Sequence, residues 1–524
     1  MPTTAWTASL TWWNAMSWNV RPRNAALTIC TVLTLAGCAS TRQPLRTPVP
    51  RVALRRTIDS IVAQPQFRSA QLGILIVDPE RADTLYSHNA GKLFIPASNQ
   101  KLITGAVAVH ALGADYRFST TVSARGTISG NTLEGDLVVT GTGDPSMSDR
   151  MRGDAMTALR DMADSLSARG VRRVTGSLTN GPSIFPDATL GFGWAWDDLD
   201  FPYSAGVDAL YLNEGFTRIV VSGGPAAGDM PSALTAPAST YPIVRMRATT
   251  VAAPALTALT VFHDSSNIGN VIVTGSVRAG AVDTLALAYR NQNAAFLTAL
   301  QEALRERGVA LDGGVRLQNP ADAGIDTTGS SHAFEPAAIP LLSIVSPPLR
   351  DILAVFEKTS QNQIGEILFK TIGWRTRGVG SAESGRAAVT AQLLAWGAPP
   401  DGFVVRDGSG LSRHNAVTPE TLARVLDAMR QHADFATFHE ALPIAGVDGT
   451  IASRMRGTAA QGNLRAKTGT LDMVRSLSGY VTTADGHLLI VVLLANSWTV
   501  PVREVERAQD AIVINLAQLR LGVF

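Results

Sequence analysis

Along its hydrophobic and polar positions the chain changes texture several times. An apolar run of 13 residues, Ala25 to Gly37, follows Arg21 and Arg23; it is too short to span a bilayer and suits the core of a secretory signal. Residues 38–51 are polar with three prolines, the composition of an extended linker. From Val52 a short amphipathic helix leads into Gln71–Asp78, an apolar run of strand length, and a turn returns the chain into a second strand near Thr84. Pro96 introduces Leu102–Leu112, apolar nearly all round and stopped by Gly113, which predicts a helix buried in a core. From about 118 to 325 short Thr/Val/Gly strands alternate with Gly and Pro turns, predicting mainly β modules. Helical spacing returns over 347–373. The chain closes with strands at Ser476–Thr483 and Leu488–Ala495, then a helix with Val502, Val505, Ala508, Ile512, Leu516 and Leu519 on one face. No repeat of solenoid period interrupts this order.

Composition narrows the class. With 524 residues, 45% apolar and 17% charged, the chain is globular and long enough for several cores, which excludes a small stapled scaffold and a disordered chain. A formal charge of +2 gives no field for a polyanion, so nucleic acid is not an expected partner. Both cysteines, Cys30 and Cys38, lie near the N-terminus, so the body has neither a disulfide nor a thiol nucleophile. Only five of the 45 basic residues are Lys, at 92, 101, 358, 370 and 467. Arg stays protonated whereas a buried Lys can become a base, so each lysine is a candidate for chemistry.

The apolar run ends in Leu35-Ala36-Gly37-Cys38, which resembles a bacterial lipobox; an ordinary signal peptide that happens to contain a Cys is the alternative. The resemblance implies export, removal of residues 1–37 and diacylation of Cys38, with 38–51 as a tether holding a periplasmic body to a membrane. Ala39 suits an outer membrane. Met16 is a possible second start.

Ser98 and Lys101 stand three residues apart at the start of the buried helix, so their side chains share a face where unpaired N–H groups and the positive dipole end lie. There Ser98 is a placed nucleophile, and dipole and burial would both push Lys101 toward the neutral form that a base requires. Such a pair alone is weak evidence. Lys467-Thr468-Gly469, just before the final strands, is rarer: cation and hydroxyl can hold a carboxylate, and glycine lets a ligand approach the backbone. Ser360-Gln361-Asn362 adds a hydroxyl and an amide between helical segments; the same pattern occurs at Ser129 and Ser265, so only its position recommends it.

In this order Ser-x-x-Lys, Ser-x-Asn and Lys-Thr-Gly resemble the motif set of penicillin-binding proteins and serine β-lactamases. The 262 residues from Ser98 to Ser360 exceed the β-lactamase gap. Gly143-Asp144-Pro145, the Asp407–Asn415 run, Leu442–Thr450 and Ala466–Thr470 are similar to the D-alanyl-D-alanine carboxypeptidase/endopeptidase family, the class C low-molecular-mass penicillin-binding proteins, from about Val52 to the C-terminus. The resemblance implies an α/β (α+β) catalytic domain, an antiparallel sheet covered by helices, with mainly β domains inserted between the first and second motifs. The expected division is 52–117 and 326–524 for the catalytic domain, 118–143 and 216–325 for one insert, and 144–215 for another.

Roles also follow from the resemblance. Ser98 would attack, Lys101 would accept its proton, and the Ser98 and Thr470 N–H groups would form an oxyanion hole. Ser360 would relay a proton to the leaving amine, Asn362 would orient substrate and Lys101, and Lys467, Thr468, Gly469 and Thr470 would bind the terminal carboxylate. Trp194-Ala195-Trp196-Asp197-Asp198 is similar to the stretch by which some members bind a diaminopimelate side chain, with Asp198 on its amine and Arg413 on its carboxylate. Beside these stand plainer roles: a solvated acidic turn for Asp198, a loop brace for Arg413, packing for Trp194 and Trp196, a structural turn for Asp144 and a loop hydrogen bond for His414. Expected partners are peptidoglycan peptides and β-lactams as covalent inhibitors; no cofactor or metal is expected, and no motif specifies an oligomeric state. A β-lactamase or esterase, and a silent wall-binding relative, are the alternative functions.

Overall fold

The computed structural model describes residues 51–318 and 338–522; the signal segment, most of the tether and the Cys38 expectation lie outside them. The catalytic sheet has five antiparallel strands in the order Arg465–Leu471, Val474–Thr482, Leu488–Asn496, Gln71–Asp78, Asp83–His88. The strands nearest the centre read as unbroken apolar runs because both faces are covered. Leu75, Ile490, Val492 and Leu494 enter one core with the helices Gln100–Leu112, Asn362–Arg377 and Pro419–Arg430. Their neighbours Ile74, Ile76, Leu489, Val491 and Leu493 enter another with Arg51–Val62 and Val502–Gln518. The period of two along a strand thus divides each strand between two helical layers.

Helix Gln100–Leu112 is buried through its first ten residues and ends at Gly113, whose φ of 82° and N–H bond to Val109 O close it. Ser98 lies in a 3-10 turn, Ala97–Asn99, one step ahead of the α-helix rather than in its first α-turn. Ala97 has φ of 47°, a left-handed backbone that re-aims the chain before the helix begins. The helical region 347–373 is two helices, Leu349–Lys358 and Asn362–Arg377, parted at Ser360 with φ of 58°.

The insert groups differently from the expected 118–143, 144–215 and 216–325. One seven-stranded sheet joins Ser119–Ser129 and Thr132–Gly141 to short strands at 173–174, 178–180, 310–311 and 315–316 and to Ile339–Val345. Helices Thr157–Ala168 and Gln292–Glu306 share its core, so this unit is mixed rather than mainly β. Nested within it, residues 216–288 form two small sheets around Ile219, Val221, Val271, Val273, Val277 and Leu287. Pairing between strands more than a hundred residues apart draws these borders, and no local composition shift marks them.

Candidate active site

The first strand of the sheet order, Arg465–Leu471, is an edge strand whose outer side carries an isolated bridge from Arg465 to Ile444. The turn carrying Ser98 packs against it at Gly469. A Cβ on Gly469 would lie 2.2 Å from Ser476 Oγ, 2.6 Å from Pro96 O and 2.9 Å from the Ser98 nitrogen, so only glycine lets strand and nucleophile meet. Ser476 Oγ donates to Pro96 O at 2.7 Å and Asn99 Nδ2 to Lys467 O at 2.8 Å, which pins the turn to the strand. Gly469→Ala is therefore expected to slow acylation by a fluorescent penicillin about 10²-fold, the scale of a misplaced nucleophile; an unchanged rate would show that the contact does not set the geometry.

Lys101 lies wholly buried beneath half-buried Ser98. Its Nζ is 3.0 Å from Ser98 Oγ, 2.7 Å from Asn362 Oδ1 and 2.6 Å from Ser409 O. The last two are obligate acceptors. A neutral amine has two hydrogens, and both are taken, which leaves its lone pair toward the Ser98 hydroxyl. Burial, and then the charge of Lys467, push Lys101 down to about 7, against the opposing pull of Glu357, Asp407 and Glu366. The cluster therefore joins the neighbouring Ser98 hydroxyl and Lys101 amine to two acceptors, Asn362 and Ser409, that lie far away in sequence.

The Asp407–Asn415 loop is wound about one carboxylate. Asp407 accepts from Gly410 N at 2.8 Å, Ser412 N at 2.6 Å, Asn415 Nδ2 at 2.7 Å and Trp194 Nε1 at 3.0 Å. Glu366 accepts from Ser409 N at 2.8 Å, so the carbonyl that meets Lys101 is held from both ends. Trp194 is thus a clasp between insert and catalytic loop, while Trp196 is 83% exposed.

Lys467 is fully buried and donates to Thr468 O at 3.1 Å, whereas Thr470 is exposed on the same strand. Thr468 Oγ1 donates to Thr450 Oγ1 at 2.7 Å. Asp448, two residues earlier, is bonded to Lys358 Nζ and so braces the segment that leads to half-buried Ser360. Arg475, across the ladder from Thr470, donates to Thr470 Oγ1 and to Glu506 Oε1. Sequence reasoning missed Arg475; its signal is the cross-strand position five residues beyond Thr470, visible only once the hairpin register is known.

Asp198 and Arg413 occupy less decisive places. Asp198 Oδ1 accepts from the Tyr203 hydroxyl at 2.6 Å, and Tyr203 O accepts from Asn362 Nδ2 at 2.7 Å, so Asp198 is one residue removed from the Lys101 cluster. Exposed Arg413 donates to Asp472 O at 3.1 Å, which ties its loop to the hairpin beside Thr470. The neighbouring Asp200 is engaged elsewhere, by His263 Nδ1 and Arg290 at 2.8 Å each.

The sequence profile of the D-Ala-D-Ala carboxypeptidase 3 (S13) family matches residues 54–519. The chain belongs to this family. It is 35% identical over 480 residues to a D-alanyl-D-alanine carboxypeptidase of Actinomadura sp. (strain R39), covering 89% of this chain and 84% of that one. It is 28% identical over 449 residues to the D-alanyl-D-alanine carboxypeptidase DacB of Haemophilus influenzae, covering 84% and 88%. The crystal structure of penicillin binding protein 4 from Haemophilus influenzae superposes with a TM-score of 0.73 at 25% identity, covering 87% of this chain and 98% of that one. As an S13 family member the chain is a serine-type peptidase, and its catalytic fold is the penicillin-binding type expected from the motifs.

Proposed function

We propose that this S13 enzyme is a D-alanyl-D-alanine carboxypeptidase/endopeptidase of peptidoglycan, with Ser98, Lys101, Ser360, Asn362 and Lys467 as its catalytic set. The observation that carries this is Lys101 Nζ, 3.0 Å from Ser98 Oγ and bonded to two obligate acceptors, Asn362 Oδ1 and Ser409 O; a neutral amine that donates to both keeps its lone pair for Ser98. Ser98 Oγ attacks the carbonyl carbon of the D-Ala–D-Ala peptide bond while its proton passes to Lys101. The oxyanion is held by the N–H groups of Ser98 and Thr470. Ser360 relays a proton to the departing amine as the C–N bond breaks, and water then cleaves the acyl ester to return Ser98. Lys467, Thr468, Gly469 and Thr470 hold the terminal carboxylate. A β-lactam enters the same path, but its amine remains tethered to the acyl group, so the ester persists. Trimming of the terminal D-Ala and cleavage of crosslinks are one chemistry on two amines.

We place the enzyme outside the cytoplasm, anchored to a membrane through lipid on Cys38. The apolar run before Cys38 and the D-alanyl-D-alanine carboxypeptidase activity named for the relatives support this. Among the described residues no helix is long and apolar enough to cross a membrane.

Labelling with a fluorescent penicillin, followed by intact mass over hours, tests the activity. A persistent adduct is expected; absence of labelling would make the chain a silent binder, and rapid loss would make it a β-lactamase. Mass spectrometry of membrane fractions, seeking a lipid-modified Cys38 peptide, tests the anchor.

Recognition of the diaminopimelate end is assigned to Asp198 and Arg413, since a zwitterion needs one partner of each sign. Replacing either, as Asp198→Asn or Arg413→Met, is expected to weaken turnover of diaminopimelate peptides by about 1.5–3 kcal/mol, the worth of a charge-assisted hydrogen bond. Acylation by a simple penicillin should stay level. Parallel losses on both substrates would leave Asp198 as a partner of Tyr203 and Arg413 as a brace.

A further inference from the structure

Beside the residues assigned to the terminal carboxylate stands a cation that the chemistry above leaves without a task. Arg475 lies directly across the ladder from Thr470, so the two side chains leave the sheet on the same face. That face is packed by helix Val502–Gln518, whose core takes in Ala466 and Leu477 from the same two strands. Glu506 of the helix accepts from the Arg475 guanidinium, and Gln509 Nε2 donates to Arg475 O at 3.4 Å. The neighbouring Asp510 is engaged by Arg454 at 2.6 Å, which leaves Glu506 as the counter-ion of Arg475. Arg475 is 8% exposed, and its Nε has no hydrogen-bond partner among the described residues. Burying a guanidinium with a donor left over is costly, whereas a methionine of similar length would pack against the same helix without that cost.

What the guanidinium gains at its other end is the bond to Thr470 Oγ1. Arginine has five N–H donors and no acceptor, so in this contact Thr470 Oγ1 accepts and keeps its own hydrogen for another partner. Thr470 is exposed and the guanidinium behind it is buried, so a ligand on strand Arg465–Leu471 meets the hydroxyl first. A hydroxyl whose lone pair is taken by a cation is also a stronger donor, because hydrogen bonds in a chain polarise one another. The partner suited to such a group is one that only accepts and carries negative charge, which describes a carboxylate.

We propose that Arg475 is a positioning residue for substrate specificity: by donating to Thr470 Oγ1 it commits that hydroxyl as a donor to the terminal carboxylate, so that acyl donors bearing the carboxylate react in preference to those lacking it. This deepens the carboxylate subsite assigned above and rests on it. Glu506 serves the same end one step further out, by holding the guanidinium in place.

The test compares second-order rates of acylation by benzylpenicillin, whose carboxylate stands for the terminal one, and by its methyl ester, which has none, both read by intact mass. Arg475→Met should slow reaction with the acid about tenfold, the lower end of what a charge-assisted hydrogen bond contributes, and with the ester by less than about twofold. Thr470→Val, which keeps the shape and removes the hydroxyl, should show the same selective loss. With both changes together the acid rate should match that of Thr470→Val alone, since the guanidinium then has nothing to orient. Arg475→Met leaves Glu506 without its partner, so Arg475→Met combined with Glu506→Gln is measured beside it and should show the same selectivity. Equal losses on acid and ester would overturn the proposal and leave Arg475 a structural residue. Losses that add when Arg475→Met and Thr470→Val are combined would overturn it too, because the guanidinium would then act on the carboxylate without Thr470. A Thr470→Val enzyme that keeps the native preference for the acid would overturn the carboxylate subsite and the proposal together. No acylation of the native enzyme would instead remove the serine chemistry beneath both.

Discussion

Ser98→Ala is expected to abolish covalent labelling by penicillin and peptide turnover while leaving the protein folded. The hydroxyl is half-buried, and its bond to Lys101 is one of three that the amine makes, so Lys101 keeps Asn362 and Ser409 when Oγ is removed. The turn itself is held by other contacts, Ser476 Oγ to Pro96 O and Asn99 Nδ2 to Lys467 O. Thermal unfolding should therefore move little. Intact mass after incubation with a fluorescent penicillin reads the chemistry directly, and an adduct on the alanine variant would remove Ser98 as the nucleophile.

Lys101→Arg should cost roughly 10²- to 10⁴-fold in acylation, the scale of a lost general base, although the charge is retained. Guanidinium has no lone pair to offer at any accessible pH, and its planar fork does not match the three partners of Nζ. Lys467→Arg should cost only about tenfold, because holding a carboxylate asks for charge and donors and not for a base. Equal losses at the two positions would mean that Lys101 serves as a cation. The native profile carries the same sign. Below about 7 Lys101 is protonated and cannot accept the Ser98 proton, so the acylation rate should rise as pH passes upward through that value. A rate that is flat through neutrality would place the base elsewhere.

Much of this was legible in one dimension because it depends on short-range rules. The run Gln71–Asp78 and the final strands are apolar beyond alternation because both faces are covered, and that texture is local. Ser98, Lys101 and the Lys467-Thr468-Gly469 triplet could be singled out as candidates because residue type and spacing are what the proposed chemistry constrains. The edge position of Arg465–Leu471 explains why a glycine belongs in that triplet: strand and nucleophile turn approach within 2.9 Å at the point where a Cβ would sit.

Other features depended on contacts that no window of sequence contains. The inserted units are bounded by strand pairs more than a hundred residues apart, such as Ser119–Ser129 with Ile339–Val345, so composition misplaced their borders. The 3-10 turn at Ser98 and the positive φ of Ala97 and Ser360 are imposed by packing, since neither residue type seeks that backbone region. Arg475 meets Thr470 through hairpin register, and Trp194 meets Asp407 across 213 residues. Glu357, fully buried, is the sharpest case. In sequence it is one acid in a helical stretch beside a lysine, and nothing local separates it from a solvated residue. Residue type and spacing thus determined by themselves which groups could attack, accept a proton and hold a carboxylate. Burial and charge proximity, which arise only when distant segments share one low-dielectric interior, set the direction in which their proton affinities shift.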